Sequence, residues 1–470
     1  MKTAWGTALA AALLPLFWYA FVSGQQPAQP PSDREARRID PPSTSGGFAQ
    51  PERDATPKSI TLGNQHVRML ERQLGELRRR DDAHGNRRLF LDDVFVTYLL
   101  AFFNPSIRSL RTIEDFSQTR QVQRYLSVPK LCRTTLSDFH RLADPERLQP
   151  ILDALRQQLA RKQASGRHPP GSLPDLLRRA VAVDGTFLEA AAEITWAVQG
   201  HNHTKRECWN VRLDFQVAVE HQTPELIVVS EPGESESAFA AANVRDGRIY
   251  LYDRGFSGFE VINAHYRVDQ EAIVPRADFI IRYKPAGGNA PSLAEAEERP
   301  LREKDIAAGV ISDRVGRFVS SKACRHKIMN VPLREVLVQY EDHGETKIVR
   351  LITNLLDVPA EIIARLYQYR WQIELFFRWL KCFADFDHLI SYSREGVLLH
   401  FYTAVIGALL MYLHSGCRPS KYTFVLLGQV ACGAATWDEI LPILQERERQ
   451  RDQERRAAAA RRAKKKSQSL

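Results

Sequence analysis

The sequence predicts a mixed α/β protein: a small helical domain, then a mixed sheet carrying a β-rich insertion, then C-terminal helices. Three observations carry that reading. Apolar residues keep a helical period up to about residue 165. After a Gly/Pro linker at 166–172 they change to strand-like alternation, with an acid near the end of two of the strands. From Glu361 to Phe386 a run without Gly or Pro returns to helix, long enough to be a real one.

Taken in order, the chain opens with Lys2 and a mostly apolar stretch, Thr3 to Val22, followed by Ser23 and Gly24. Residues 1–24 therefore resemble a signal peptide or a single membrane anchor. Residues 25–60 are rich in Pro, Ser and Gln with little to bury, and are expected to be disordered. In the helical domain, 61–165, Val67, Leu70, Leu74 and Leu77 stand at helical spacing. A second helix starts at Asp92 and Asp93, acids suited to a first turn, and stops at Asn104-Pro105. Shorter helices are expected near 106–117, 119–126 and 134–141, and a longer one over 145–164. Arg108, Arg111, Arg120 and Arg124 suit either DNA phosphates or ordinary solvation on a helical bundle.

The region 172–415 reads first as β-β-β-α-β. Strands are expected over Ala180–Leu188, Trp209–Val219, Glu225–Ser230 and Arg248–Phe256, with a helix over Ser235–Val244. From about 272 to 354 the pattern stays β, with strands near 278–284, 316–320, 334–340 and 348–353, read as an inserted sheet. The helix after Asp357 follows, then apolar helices over Glu395–Leu413 and Thr423–Leu444, the latter within a C-terminal segment 416–445. Residues 446–470 hold ten Arg/Lys against four acids, so +6 of the formal +9 sits in this tail. The body is only about +3, so any phosphate-binding surface must be a local patch. Six cysteines without a CxxC pair argue against zinc knuckles and a disulfide framework, and fit a reducing compartment.

The chemistry lies in the charged groups. At about 100° per residue, Tyr367, Arg370, Glu374 and Lys381 share one helical stripe, with Leu366, Ile373, Phe376, Trp379 and Leu380 on the far side. A carboxylate on so apolar a helix wants a cation or a metal as partner. Asp184 and Asp253 sit near the ends of apolar strands. Three carboxylates in that arrangement suit Mg²⁺, which takes oxygen ligands and keeps positions for water and phosphate. Two such ions activate a water or a 3′-OH and stabilise the leaving oxygen. His201-Asn202-His203 is the nearest approach to a His metal motif and reads as a polar loop.

These residues resemble the DDE transposases of bacterial insertion sequences, in the group marked by Y-x2-R-x3-E-x6-K. Tyr367, Arg370, Glu374 and Lys381 meet that motif in full. Val183-Asp184-Gly185-Thr186 resembles the strand of the first aspartate, and Tyr252-Asp253-Arg254-Gly255-Phe256 that of the second. Asp278 to Lys284, with Arg282, resembles the stretch that follows it, and the run Leu91–Leu110 resembles the helical N-terminal region. The resemblance covers about residues 85 to 415. It implies an RNase H-like catalytic core with a β-rich insertion, and the spacing agrees: 69 residues part Asp184 from Asp253, and 121 part Asp253 from Glu374. It further implies that Asp184, Asp253 and Glu374 bind two Mg²⁺ (or Mn²⁺) ions. Tyr367, Arg370 and Lys381, with Arg254, Arg282 and Lys284, would contact DNA. The partners implied are the terminal inverted repeats and a target duplex, held by a homodimer on DNA.

The leader departs from the family. A protein that acts on chromosomal DNA is expected in the cytoplasm, associated with the nucleoid and not with the membrane, so residues 1–24, signal-like as they are, read better as a start assigned upstream of the true one or as a leader without function. Two other functions compete: an RNase H-like nuclease or junction resolvase, and a secreted or membrane-anchored glycosidase using two carboxylates. A degenerate copy that binds DNA without cleaving it is a further alternative.

Overall fold

A computed structural model describes residues 70–468 except 82–88, 105–106, 108, 164–167, 191–197, 202–206, 231–232, 271, 286–290, 320–330, 343–344, 384–390, 392 and 432. All of these belong to one compact unit, Ser59–Leu470. The leader, the 25–60 segment and the His203 loop lie outside the described residues.

The N-terminal helices are α1 (Glu71–Asp81), α2 (Leu91–Phe102), α3 (Leu110–Ser117), α4 (Arg120–Gln123), α5 (Arg133–Leu142), α6 (Gln149–Gln163) and α7 (Leu173–Arg179). Their starts follow local chemistry. Asp92 and Asp93 occupy the first turn of α2, and Ser109 with Thr112 closes a capping box on α3.

The sheet begins with β1 (Ala180–Ala190), β2 (Val198–His201), β3 (Glu207–Ala218) and β4 (Thr223–Val229). After α8 (Glu236–Ala242) come β5 (Ile249–Tyr252), α9 (Phe259–Ala264), the hairpin β6 (Tyr266–Asp269) and β7 (Ala272–Pro275), and β8 (Asp278–Tyr283). β3 runs antiparallel to β1 and carries β2 and β4 on its outer edge. On the other side β5 and then β8 run parallel to β1. The order β4-β3-β1-β5-β8, with only β3 reversed against the other four, is that of an RNase H-like sheet. A crossover is required to bring β5 and β8 in parallel, and α8 and α9 with the hairpin supply it.

The insertion adds β9 (Leu293–Glu298), α10 (Glu303–Ala307), β10 (Val310–Phe318), β11 (Leu333–Asp342) and β12 (Glu345–Thr353). Two expectations change here. Residues 278–283, read from sequence as part of the insertion, are the last parallel strand of the core. The insertion is also not a separate sheet, because β12 pairs with β8 and extends the core sheet through β11 and β10 to β9. Ion pairs tie the strands of the insertion to one another. Arg334 donates two 2.7 Å bonds to Asp313 and also reaches the carbonyls of Leu355 and Leu356 at 3.1 Å, on the approach to the next helix. Glu335 accepts from both Arg314 and Arg350.

The C-terminal part contains α11 (Ala360–Gln368), a 3-10 turn at Tyr369–Trp371, α12 (Gln372–Phe383), α13 (Arg394–Ser415), α14 (Lys421–Ala431) and α15 (Trp437–Gln468). The run expected as one helix from 361 to 386 is thus tightened at 369–371, and the expected 423–444 helix is two, α15 continuing through the basic tail to Gln468. α13 is apolar all round because it is buried all round, against α2, α5, α6, β4 and α15. Among the described residues it is the one helix long and apolar enough to cross a membrane, and 89% of that stretch is buried within the fold. Gly407 allows α2 to come close: a Cβ there would stand 2.6 Å from the Phe102 ring. Side chains alternate across the sheet. Ala182, Leu251 and Ile280 join the cluster shared with α1–α6 and α11–α13, while Val183, Tyr252 and Ile281 join the one under α8 and α9.

Candidate active site

The two aspartates are neighbours by register. The parallel pairing of β1 with β5 ends at Val183 opposite Tyr252, and that of β5 with β8 at Tyr252 opposite Ile281. One residue further along the three chains stand Asp184, Asp253 and Arg282. They form a row just past the end of the parallel pairing, midway along β1 and at the carboxyl ends of β5 and β8, the side on which open α/β sheets place their ligands. Asp184 is paired with Phe215 of β3, and antiparallel partners share a face. That face receives α12: Phe376 and Phe377 lie edge-on to Phe215, with ring centroids 5.5 and 5.3 Å away. The aromatic contact sets the helix, and the helix brings Glu374 to the row.

One guanidinium joins the acids. Arg370, itself buried, reaches Glu374 at 2.8 Å and Asp184 at 3.8 Å. Arg282 lies 3.7 Å from Asp253. Burial raises the Asp184 carboxyl to about 6; the Arg370 charge and the 2.9 Å bond from the Gly185 N–H pull the other way, and the charges of Glu236 and Asp253 add to the rise. The Asp253 Oδ1 is buried with no hydrogen-bond partner. So is the Tyr367 hydroxyl, and burial above all pushes that phenol up, so it stays protonated; the nearby Arg370 offsets this only in part.

Carboxylate oxygens and an orphaned Asp253 oxygen fit a hard divalent cation, and the Arg370 charge marks where the acids favour positive charge. Among the described residues no three His, Cys, Asp or Glu side chains close on one ion as they stand, since Arg370 lies between Asp184 and Glu374. Asp184, Asp253 and Glu374 are the residues that could hold Mg²⁺.

The other expected contacts divide. Arg254 begins the 3-10 turn Arg254–Phe256 beside Asp253, and it and Lys284 are exposed. Arg282 is half-buried on Asp253. Lys381 lies on α12, but its side chain is outside the described residues. Of the N-terminal arginines, Arg111, Arg120 and Arg124 are exposed and Arg108 is outside the described residues. Two acids and an aromatic at this site escaped the sequence reading. Asp214 on β3 and Glu236 on α8 both lie against Gly185, and Trp371, 50% exposed, follows Arg370 directly. Asp214 is one polar residue in an alternating strand and Glu236 an acid in a helix first turn, so neither has a signal in sequence. Trp371 sits inside the motif spacing.

Residues 175–411, half of the chain, match the family described as transposase DDE domain. A protein of Sinorhizobium fredii named as transposase y4zB is 29% identical over 188 residues, which cover 39% of this chain and 47% of that protein. A second, named as a transposase for insertion sequence element IS5377 of Geobacillus stearothermophilus, is 36% identical over 63 residues, 13% of this chain and 17% of that protein. The chain thus spans less than half the length of either relative. A solved structure, a piggyBac transposase synaptic complex with hairpin DNA, superposes with a TM-score of 0.36 at 11% identity, covering 80% of this chain and 78% of that one.

Proposed function

The chain belongs to the transposase DDE domain family, and from that premise we propose that it is a DNA transposase which cleaves the ends of an insertion sequence and joins them to a target duplex. The observation that carries this reading is the row Asp184–Asp253 with Glu374 brought to it through one buried guanidinium. Two divalent ions held by these three carboxylates would supply an activated water or 3′-OH and charge stabilisation at the leaving oxygen. Asp184, at about 6, is mostly ionised at pH 7 and so available as a ligand. Arg370 suits bidentate capture of a phosphate at the cleaved end, and Tyr367 adds a protonated hydroxyl beside it. Arg254, Arg282 and Lys284 on this structure, and Lys381 by the family motif, are the further residues proposed to contact the DNA. Trp371, exposed next to Arg370, is placed to stack on a base there.

Two ends must be brought together, which makes a homodimer on DNA the proposed working form, in the cytoplasm and associated with the nucleoid. The test is direct. Purified protein, Mg²⁺ and a duplex carrying the element's terminal inverted repeat should yield nicked or released ends, and with a target duplex, joined product. Asp184→Asn and Glu374→Gln should abolish both. Full cleavage by Asp184→Asn would overturn the site, and cleavage without joining would favour a nuclease or junction resolvase.

A further inference from the structure

Gly185, directly after the first aspartate, is crowded from the side of the sheet opposite α12. A Cβ built there would lie 2.7 Å from Asp214 Oδ1 and 2.8 Å from Glu236 Oε1. The second Glu236 oxygen lies 3.9 Å from the corresponding point on Gly255, two residues after Asp253. One carboxylate therefore spans from the strand residue after Asp184 to the turn after Asp253. Ser235 caps α8, its Oγ accepting from the Ala238 N–H at 3.0 Å, and Ala240 is buried under the sheet, so the helix start that carries Glu236 is fixed.

Two facts describe how this carboxylate is held. Glu236 forms no hydrogen bond or ion pair among the described residues; burial and then the Asp214 charge push its carboxyl up, and Arg212, which bonds Asp214 instead, offsets this only in part. Behind it Asp214, 1% exposed, is held on Oδ2 by Arg212 at 3.1 Å and by Ser230, while its Oδ1 has no hydrogen-bond partner and faces the same point as Glu236 Oε1. Two carboxylate oxygens on one side of a glycine repel, and Asp214 cannot retreat. The other Glu236 oxygen lies instead toward Gly255, in the turn after Asp253. Its charge is already felt at Asp184, where it adds to burial in lifting that carboxyl.

We infer that Glu236 is a fourth carboxylate of the metal centre, reaching the divalent ions from the face opposite Glu374, with Asp214 as the positioning residue behind it. The inference rests on the assignment of Asp184 and Asp253 as metal ligands. Glycine at 185 follows from it, because any side chain there would displace both acids.

Mn²⁺ binding to the purified full chain, followed by the electron paramagnetic resonance of the free ion, tests this without relying on activity. Glu236→Gln keeps the shape and removes the charge, and should weaken Mn²⁺ binding about tenfold or more. Without metal it should melt at or above the wild-type temperature, since repulsion from Asp214 is gone, and Mn²⁺ should raise its melting temperature less than that of wild type. Glu236→Asp, still anionic but one methylene shorter, should recover part of the affinity. If Glu236→Gln binds Mn²⁺ within twofold of wild type while Asp184→Asn does not bind it, this inference fails and the aspartate assignment stands. If Asp184→Asn also binds like wild type, the aspartate assignment fails as well. If Glu236→Gln melts lower without metal and Glu236→Asp recovers nothing, the residue is structural and the inference is overturned.

Discussion

Replacing Arg370 by Gln separates two roles of the charge at the centre of the site. The guanidinium stands 3.8 Å from Asp184. A pair of unit charges at that distance is worth about 4 kcal/mol at an effective dielectric of ~20 and about 1 kcal/mol in bulk water. Asp184 is about a quarter exposed, so both limits are relevant. At about 1.4 kcal/mol per pH unit, loss of the charge should lift the Asp184 carboxyl from about 6 by about one to three pH units. A metal needs the ionised form, so protons compete with it below the carboxyl's midpoint. Free Mn²⁺ measured across pH 5–9 should show half-maximal binding near pH 6 in wild type and at about 7 or above in the variant. At a pH well above both midpoints, where Asp184 is ionised in both, the variant should bind at least as tightly, because a repelling cation has left. Arg370→Lys, which keeps the charge, should move the midpoint less. A midpoint that stays in place or falls in Arg370→Gln would show that Arg370 does not hold Asp184 ionised.

Three further outcomes follow from the packing. Arg334→Ala leaves the Asp313 carboxylate, 5% exposed, without its partner, and should cost about 3–5 kcal/mol, read as a lower urea midpoint at unchanged slope. Gly407→Ala forces a methyl against the Phe102 ring at 2.6 Å and should cost about 1–3 kcal/mol, read as a lower melting temperature. His265 is fully buried, its Nδ1 donating to the Val261 carbonyl, and burial lowers it to about 4. Its unfolded form binds a proton near 6.5, so its contribution is complete above that pH and is lost as pH falls toward 4. Melting temperature should therefore drop between pH 6.5 and 4.5, and less in His265→Gln; Asp184, whose carboxyl is raised, acts in the opposite direction, so the comparison between variants carries the test.

Local chemistry made much of this protein readable from its sequence. Alternation over Ala180–Leu188 and Trp209–Val219 placed β1 and β3, the capping acids placed α2, and the four-point spacing on the 361–386 run placed Arg370 beside Glu374. These features depend on neighbours a few residues apart, which a linear reading contains. Elements without such a signal were missed: α9, the β6–β7 hairpin and β9 are short and lack a clear period. The break at Tyr369–Trp371 was missed for another reason, since nothing in the residue types there opposes a continuous helix.

What the sequence determined by itself is the set of chemical groups and the order in which they come: two aspartates on strands, then a glutamate after a long β-rich segment. Tertiary structure decided how they meet. The parallel register of β1, β5 and β8 puts Asp184, Asp253 and Arg282 in one row, and no local pattern specifies that register. Phe215 receiving Phe376 and Phe377 sets where Glu374 arrives, a contact across some 160 residues. The β8–β12 pairing turned an expected separate sheet into an extension of the core. Glu236 is the clearest case, because its environment is made by Gly185, Asp214 and Gly255 from three different strands and turns, and only folding brings those together.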